Sequence, residues 1–204
     1  MSEDGLEWCG PTVLTTDELE KASIWIHSMD HEYYSLFGLN HDNTKDKLQE
    51  LLMAPQSEFG TTQFARRAGV LSGFFTCFLA SEIFARRLFV LKSFLAAAPD
   101  LGLVKTKLQK FEGANRKVPL ETLYLSKIYV DREIRGTGMS AQILERFMMQ
   151  GKALGLTLTL HVNRKNIAAI ALYNKYGFVI NPNQDWSEGP YFLMEHKLIQ
   201  GWQR

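Results

Sequence analysis

The densest chemistry in this 204-residue chain is a short turn, Arg135-Gly136-Thr137-Gly138-Met139-Ser140. A glycine turn that opens a helix lets backbone N–H groups converge on an anion with no Cβ in the way, and the positive end of the helix dipole lies behind them. Such a turn can hold phosphate, although Gly-x-Gly is also what an ordinary tight turn uses. Other candidates are more diffuse. His31, Tyr33, Tyr34, Phe37 and His41 share a polar stretch over 30–43; they suit a substrate wall, and equally rings that anchor a loop on the core. Those two histidines are ten apart with no clustered carboxylate or thiolate, which argues against metal binding. Cys9 and Cys77 are the sole cysteines, too few for a disulfide framework or a thiolate cluster, so a reduced setting is expected. Lys105, Lys107, Lys110, Arg116 and Lys117, against Glu112, read as a solvated face or as a contact for an acidic substrate or a cofactor phosphate.

The elements around the turn must aim it. Leu123 to Val130 is rich in β-branched and aromatic residues, as a strand should be, and Ala141 to Ala153 carries apolar residues at helical spacing. In Gly155 to Val162, Leu156, Leu158, Leu160 and Val162 alternate with Thr157, Thr159, His161 and Asn163, a period of two. Strand, helix and strand across about 40 residues make a βαβ unit with parallel strands and a right-handed crossover. The turn then lies at the carboxyl end of the first strand, where open α/β sheets bind ligands. Asn166 to Tyr176 reads as a second helix, with strands expected at Gly177 to Ile180 and Tyr191 to Leu198, joined by a loop containing Trp186. Upstream, a capping box from Thr15 to Glu18 opens a helix to Met29, and Asn43 or Thr44 can cap another that ends before Pro55. Thr62 to Arg67 and Val70 to Ser81 read as a hairpin, and Glu82 to Ala98 as a helix stopped by Pro99. The expected class is α/β: one domain over 1–204 with a mixed sheet, and residues 82–117 as a helical insert before the central strand.

A net charge of +1 gives no global attraction to nucleic acid or to an anionic membrane. Met1 to Trp8 has three acidic residues and no basic one, unlike a signal peptide. The longest charge-free apolar run, Val70 to Ser81, is twelve residues, too short for a bilayer. A soluble, cytoplasmic protein is expected.

Taken together, "VDREIRGTGMSAQILERFM" and "LTLHVNRKNIAAIALYNKYGF" resemble the two central motifs of the GNAT superfamily of acetyl-CoA-dependent N-acyltransferases, over Leu123 to Phe178. The resemblance implies a mixed, mostly antiparallel sheet whose central parallel pair splays around acetyl-CoA, with helices on both faces. It implies that the strand end Ile128, Tyr129 and Val130 pairs with the pantetheine arm, and that Arg135, Gly136, Thr137, Gly138, Met139 and Ser140 wrap the pyrophosphate. By the same resemblance, Asn166 contacts the cofactor arm, a role that can coexist with capping the next helix. Tyr173 matches the tyrosine that can protonate the departing thiolate. Where many members carry Glu, five residues before the motif Asn, this chain has His161, which titrates near neutrality and can take a proton directly or through water. Ser140 stands where Gly or Ala is usual. The implied activity is acetyl transfer from acetyl-CoA to a primary amine by direct attack, with a longer acyl-CoA, or an acetyl-CoA-binding module without transfer, as alternatives. The acceptor stays open among small amines, antibiotics, amino acids and peptide or protein amines, and a homodimer stays open as well.

Overall fold

A computed structural model of the chain describes residues 5–110, 118–182 and 189–197. It begins with a strand the sequence pattern did not signal, β1 (Leu6–Cys9). Four residues are too few for alternation to stand out, and pairing with the edge of the sheet is what makes β1 a strand. α1 (Thr16–Met29) opens on the expected capping box: the Glu18 N–H donates to Thr15 Oγ1 at 3.3 Å, and the Thr15 N–H donates to Glu18 Oε2 at 2.9 Å. α2 (His31–Ser35) replaces the expected loop, because Tyr34 and the following Phe37 are buried and pull the segment onto the core. α3 (His41–Met53) starts earlier than expected; Asn40 is its cap, accepting from the Asn43 N–H at 2.8 Å.

β2 (Thr62–Arg67) and β3 (Val70–Leu79) form the hairpin, followed by α4 (Ile83–Ala97) and α5 (Leu101–Lys110). Glu112, Arg116 and Lys117 lie outside the described residues, as do Trp186 and Leu198. Then come β4 (Thr122–Val130), α6 (Met139–Leu154), β5 (Thr157–Asn163), α7 (Ile167–Lys175), β6 (Val179–Ile180) and β7 (Tyr191–His196).

The seven strands form one sheet in the order β1-β2-β3-β4-β5-β7-β6, with β4 and β5 parallel and every other pair antiparallel. Each face carries its own apolar core. Ile143, Leu144 and Phe147 of α6 pack with Phe75, Leu158 and Leu160 on one side. Trp25, Ile26, Leu48 and Phe94 of α1, α3 and α4 pack with Phe64 and Phe74 on the other.

Two irregularities in β4 shape everything that follows. First, β4 meets β5 over four rungs alone, Thr122 to Leu125 against Thr157 to Leu160, and the strands then part. Second, Thr76 pairs with Lys127 while Cys77 pairs with Leu125, so Ser126 is an extra residue and β4 bulges there. The bulge resets the period of two. Leu123 and Leu125 share a face with Ile128 and Val130, whereas Tyr124 shares the opposite face with Lys127 and Tyr129.

Phe147 is fully buried against the sheet, so Phe147→Ala should cost about 3–5 kcal/mol in urea unfolding. The chain also carries an acid-sensitive clamp between α1 and β2. Arg66 hydrogen-bonds Glu18 at 2.7 Å and holds its carboxyl at about 2, below the usual 4.5. Because the folded value is the lower one, this stabilisation is complete above pH 4.5 and is lost as pH falls towards about 2. Glu18→Gln should therefore lower stability at neutral pH and flatten its dependence over that window, read from urea midpoints.

Candidate functional site

The parting of β4 from β5 leaves backbone groups without a strand partner. The Asp131 N–H donates to the Ser72 carbonyl of β3 at 3.0 Å, and peptide directions alternate along an antiparallel ladder. The peptide groups of Tyr129 therefore point to β3, and those of Ile128 and Val130 point into the gap. The ring of Tyr129 is buried on the α1 face, stacked 5.0 Å from Trp25 and 5.8 Å from Phe74. Of the three strand-end residues named from the sequence, two face the gap and one faces away.

The turn follows at once. Asp131 anchors it, receiving Lys21 of α1 at 2.7 Å and the Glu133 N–H at 3.3 Å. Burial disfavours its charge, but these partners outweigh burial and lower the Asp131 carboxyl. Gly136 and Gly138 take φ of 82° and 85°, the left-handed region that a side chain disfavours. A Cβ added at either would meet nothing within 4 Å, so open space lies in front of them. Gly138 is the N-cap of α6 and offers no side-chain cap. The first N–H groups of α6 lack intrahelical acceptors as at any helix start, and here they lie beside that space. Met139 is buried beneath them and Ser140 is half-buried.

Charge gathers at this turn from two sides. Arg135 donates through Nε to the Val130 carbonyl at 3.3 Å, its guanidinium 5.6 Å from the Tyr129 ring. Arg67 reaches over from the β2–β3 hairpin, donating to Thr137 Oγ1 at 3.2 Å and Gln142 Oε1 at 2.9 Å. Nothing in the sequence spacing brings Arg67 here; the hairpin does.

On the α6 side, Asn166 caps α7 by accepting from the Ala169 N–H at 3.1 Å, which leaves its amide NH2 available. Tyr173 is 5 % exposed, its ring 5.9 Å from Phe178, and its hydroxyl has no hydrogen-bond partner among the described residues. Burial pushes its phenol up to about 12, so it carries its proton at neutral pH.

His161 lies on the other face, since Leu160 and Val162 on either side of it belong to the α6 core. It is the first residue of β5 beyond the last rung with β4, and it heads a polar chain drawn from five separate segments. Its Nδ1 is 3.2 Å from the Tyr124 hydroxyl, which receives Arg87 of α4 at 3.3 Å. Arg87 Nε lies 3.5 Å from Glu58, which lies 3.7 Å from Lys127, and Lys127 pairs with Asp30 at the end of α1. Burial opposes the charge on Lys127, but Asp30 and Glu58 more than offset it and raise the ammonium. Tyr33 faces the same charges; burial first, then Glu58, pushes its phenol up to about 12. Tyr124, Arg87, Glu58, Lys127 and Asp30 are unremarked in the sequence. They are 97 positions apart at the extremes of one pair, Asp30 and Lys127, and no local motif marks them.

The arrangement is a parted pair of strands with a glycine turn and open space at its open end, a buried, protonated Tyr173 in the core on the α6 face, and a polar chain headed by His161 on the other face. The acetyltransferase (GNAT) family model matches residues 26–178, well over half of the chain, and the chain belongs to that family. Solved structures agree on the fold. A crystal structure described as an acetyltransferase superposes with a TM-score of 0.72 at 18% identity, over 91% of this chain and 97% of that one. An N-acetyltransferase from Staphylococcus aureus Mu50 gives 0.64 at 13% identity, covering 93% and 98%. The PaiA N-acetyltransferase from Thermoplasma acidophilum in complex with coenzyme A gives 0.53 at 17% identity, covering 94% and 98%. A search of curated protein sequences finds no match. No helix among the described residues is long and apolar enough to cross a membrane.

The turn can be tested as an anion cradle. Gly138→Val forces a branched side chain into φ of 85° and into the open space, a strain of about 1–3 kcal/mol. The strain lowers stability, and the side chain, by filling the space an anion would occupy, should weaken CoA binding by roughly tenfold or more, about 1.4 kcal/mol, measured by calorimetry with the fold checked by circular dichroism.

Proposed function

We propose that the protein is an N-acetyltransferase that moves the acetyl group of acetyl-CoA to a primary amine in a ternary complex. The observation that carries this reading is the gap itself: peptide groups of Ile128 and Val130 without a strand partner, running into a glycine turn with open space before it. A cofactor with an amide-bearing arm and a pyrophosphate matches that sequence of groups. The peptide groups of Ile128 and Val130 would hold the arm, with Asn166 contributing its free amide NH2. Arg135 and Gly136 to Ser140 would hold the pyrophosphate, with Arg67 adding charge. When bound, acetyl-CoA supplies an acetyl group activated as a thioester.

The chain's own residues divide the proton work. Tyr173, protonated at neutral pH, donates towards the thiol side of the gap. His161 receives the proton lost by the amine on the opposite face, and backbone N–H near Ile128 stabilises developing negative charge on oxygen. Neither cysteine enters: Cys77 is buried and its thiol is pushed up to about 12 by that burial, and Cys9 lies on the edge strand β1. A covalent enzyme intermediate is therefore not part of the proposal. A cytoplasmic setting and an amine acceptor, small or peptidic, go with this reading.

Thiol release from acetyl-CoA over a panel of primary amines tests it directly. Release that depends on the amine supports transfer, whereas tight CoA binding with no release on any amine would favour a binding module. Tyr173→Phe should lower kcat by about 10²-fold or more, the usual scale of general-acid loss, with CoA affinity within about twofold. An unchanged kcat removes Tyr173 from the proton-donor role.

A further inference from the structure

The outer corner of the sheet holds a cavity that acetyl transfer does not use. It lies where β1 ends and β2 begins, with a volume of about 380 Å³, within the range that small-molecule sites occupy. Three of its side chains come from one face of the sheet. Trp8 stands opposite Ala65, Gln63 shares the face of Ala65 two residues away, and Arg146 reaches across from α6. Gly10, just past the rung between Cys9 and Phe64, has nothing within 4 Å of where a Cβ would stand, so the sheet edge is open here. Thr62, which lines the cavity, and Arg67, which reaches the glycine turn, are the two ends of β2, roughly 17 Å apart at about 3.3 Å per residue. The cavity and the gap are separate places.

Arg146 is the group that lacks a partner. Its guanidinium lies 5.7 Å from the Trp8 ring, and an edge-on contact with Phe75, also at 5.7 Å, sets that ring. Its Nε is buried without a hydrogen-bond partner, and it forms no ion pair among the described residues. The neighbouring carboxylates are committed elsewhere. Glu145, the preceding residue of α6, accepts from the Tyr176 hydroxyl at 2.7 Å, and Glu7, the residue before Trp8, faces Arg66 at 3.7 Å. Among the described residues that line the cavity, Arg146 is therefore the one charged group, and a buried donor with no acceptor is costly. A guanidinium presents its donors as a planar fork that matches a carboxylate. Beside the fork stand Trp8 and Pro11, which are apolar, and Gln63, whose amide can donate or accept.

We propose that this cavity is a second ligand site, for a small organic carboxylate. The carboxylate pairs with Arg146, and the body of the ligand lies against Trp8 and Pro11 with Gln63 beside it. Inorganic phosphate offers the charge but leaves the two apolar walls without contact. The site makes and breaks no covalent bond, and it stands whether or not the gap transfers acetyl groups.

Benzoate is the probe, followed by proton–nitrogen NMR of the full chain. The Trp8 indole N–H and the Arg146 Nε–H signals should shift together and saturate with a Kd of about 1 mM or lower, the scale open to a ligand of that size. Benzamide, which has nearly the same shape and no charge, should bind about tenfold more weakly or worse, and so should inorganic phosphate. Arg146→Met keeps an unbranched stem at this half-buried position and removes the fork; it should weaken benzoate by about tenfold or more. Benzamide on the wild type tests the need for charge even if that variant folds poorly. No saturable shift at Trp8 at ten times the expected Kd, binding of benzamide or phosphate as tight as benzoate, or shifts confined to the Gly136 and Gly138 amides overturns the proposal.

Discussion

The structure depends on a hydrogen-bond ladder that stops. β4 and β5 are held together by four rungs and then separate, which a buried parallel pair does at a cost, since unpaired peptide groups in a protein interior lose more than a kilocalorie each, about 1–3 kcal/mol. The separation is braced from both sides. β3 keeps β4 straight to Val130 through seven pairs, and β7 keeps β5 straight to Asn163 through six. The gap is therefore framed on both sides by paired strands, which set the direction of the peptide groups along its edges.

The bulge at Ser126 turns that gap into a two-sided device. Tyr124 and Lys127 are three residues apart, and on a regular strand they would face opposite ways. With one extra residue between them they face the same way, and so Lys127 can join Glu58 and Asp30 while Tyr124 joins Arg87 and His161. Ile128 and Val130 go to the α6 face, where their side chains pack in the core and their peptides edge the gap. A buried ionic chain of this kind adds little net stability, yet breaking one member exposes the others to an unpaired interior charge. Its value lies in fixing side chains that come from distant parts of the sequence.

α4 contributes to the site in two ways. Arg86 bonds the carbonyls of Pro55 and Ser57 at 2.8 and 2.9 Å and so fixes the segment that carries Glu58. Arg87, one residue on, meets Glu58 and Tyr124. Two adjacent arginines on one helix thus hold the carboxylate and use it.

Much of this was legible in the chain. The parallel unit from Leu123 to Asn163, the capping box at Thr15 and the glycine turn follow from periodicity and residue type, because local propensity and local hydrogen bonding decide them. β1 and α2 were not, as a four-residue edge strand and a short helix exist by virtue of what they pack on. The positive φ at Gly136 and Gly138 and the cap made by Asn166 are likewise local, and residue identity alone pointed to them. Where the side chains meet was a different matter. The bulge at Ser126 leaves no mark in composition, Arg67 reaches the turn across 70 positions, and Lys127 reaches Asp30 across 97. The sequence by itself determined a glycine turn opening a helix within a strand-helix-strand unit, since each part is held by near neighbours. Only the tertiary structure decided which residues face the apex from the other side, because register, bulge and helix packing are settled between segments far apart in the chain.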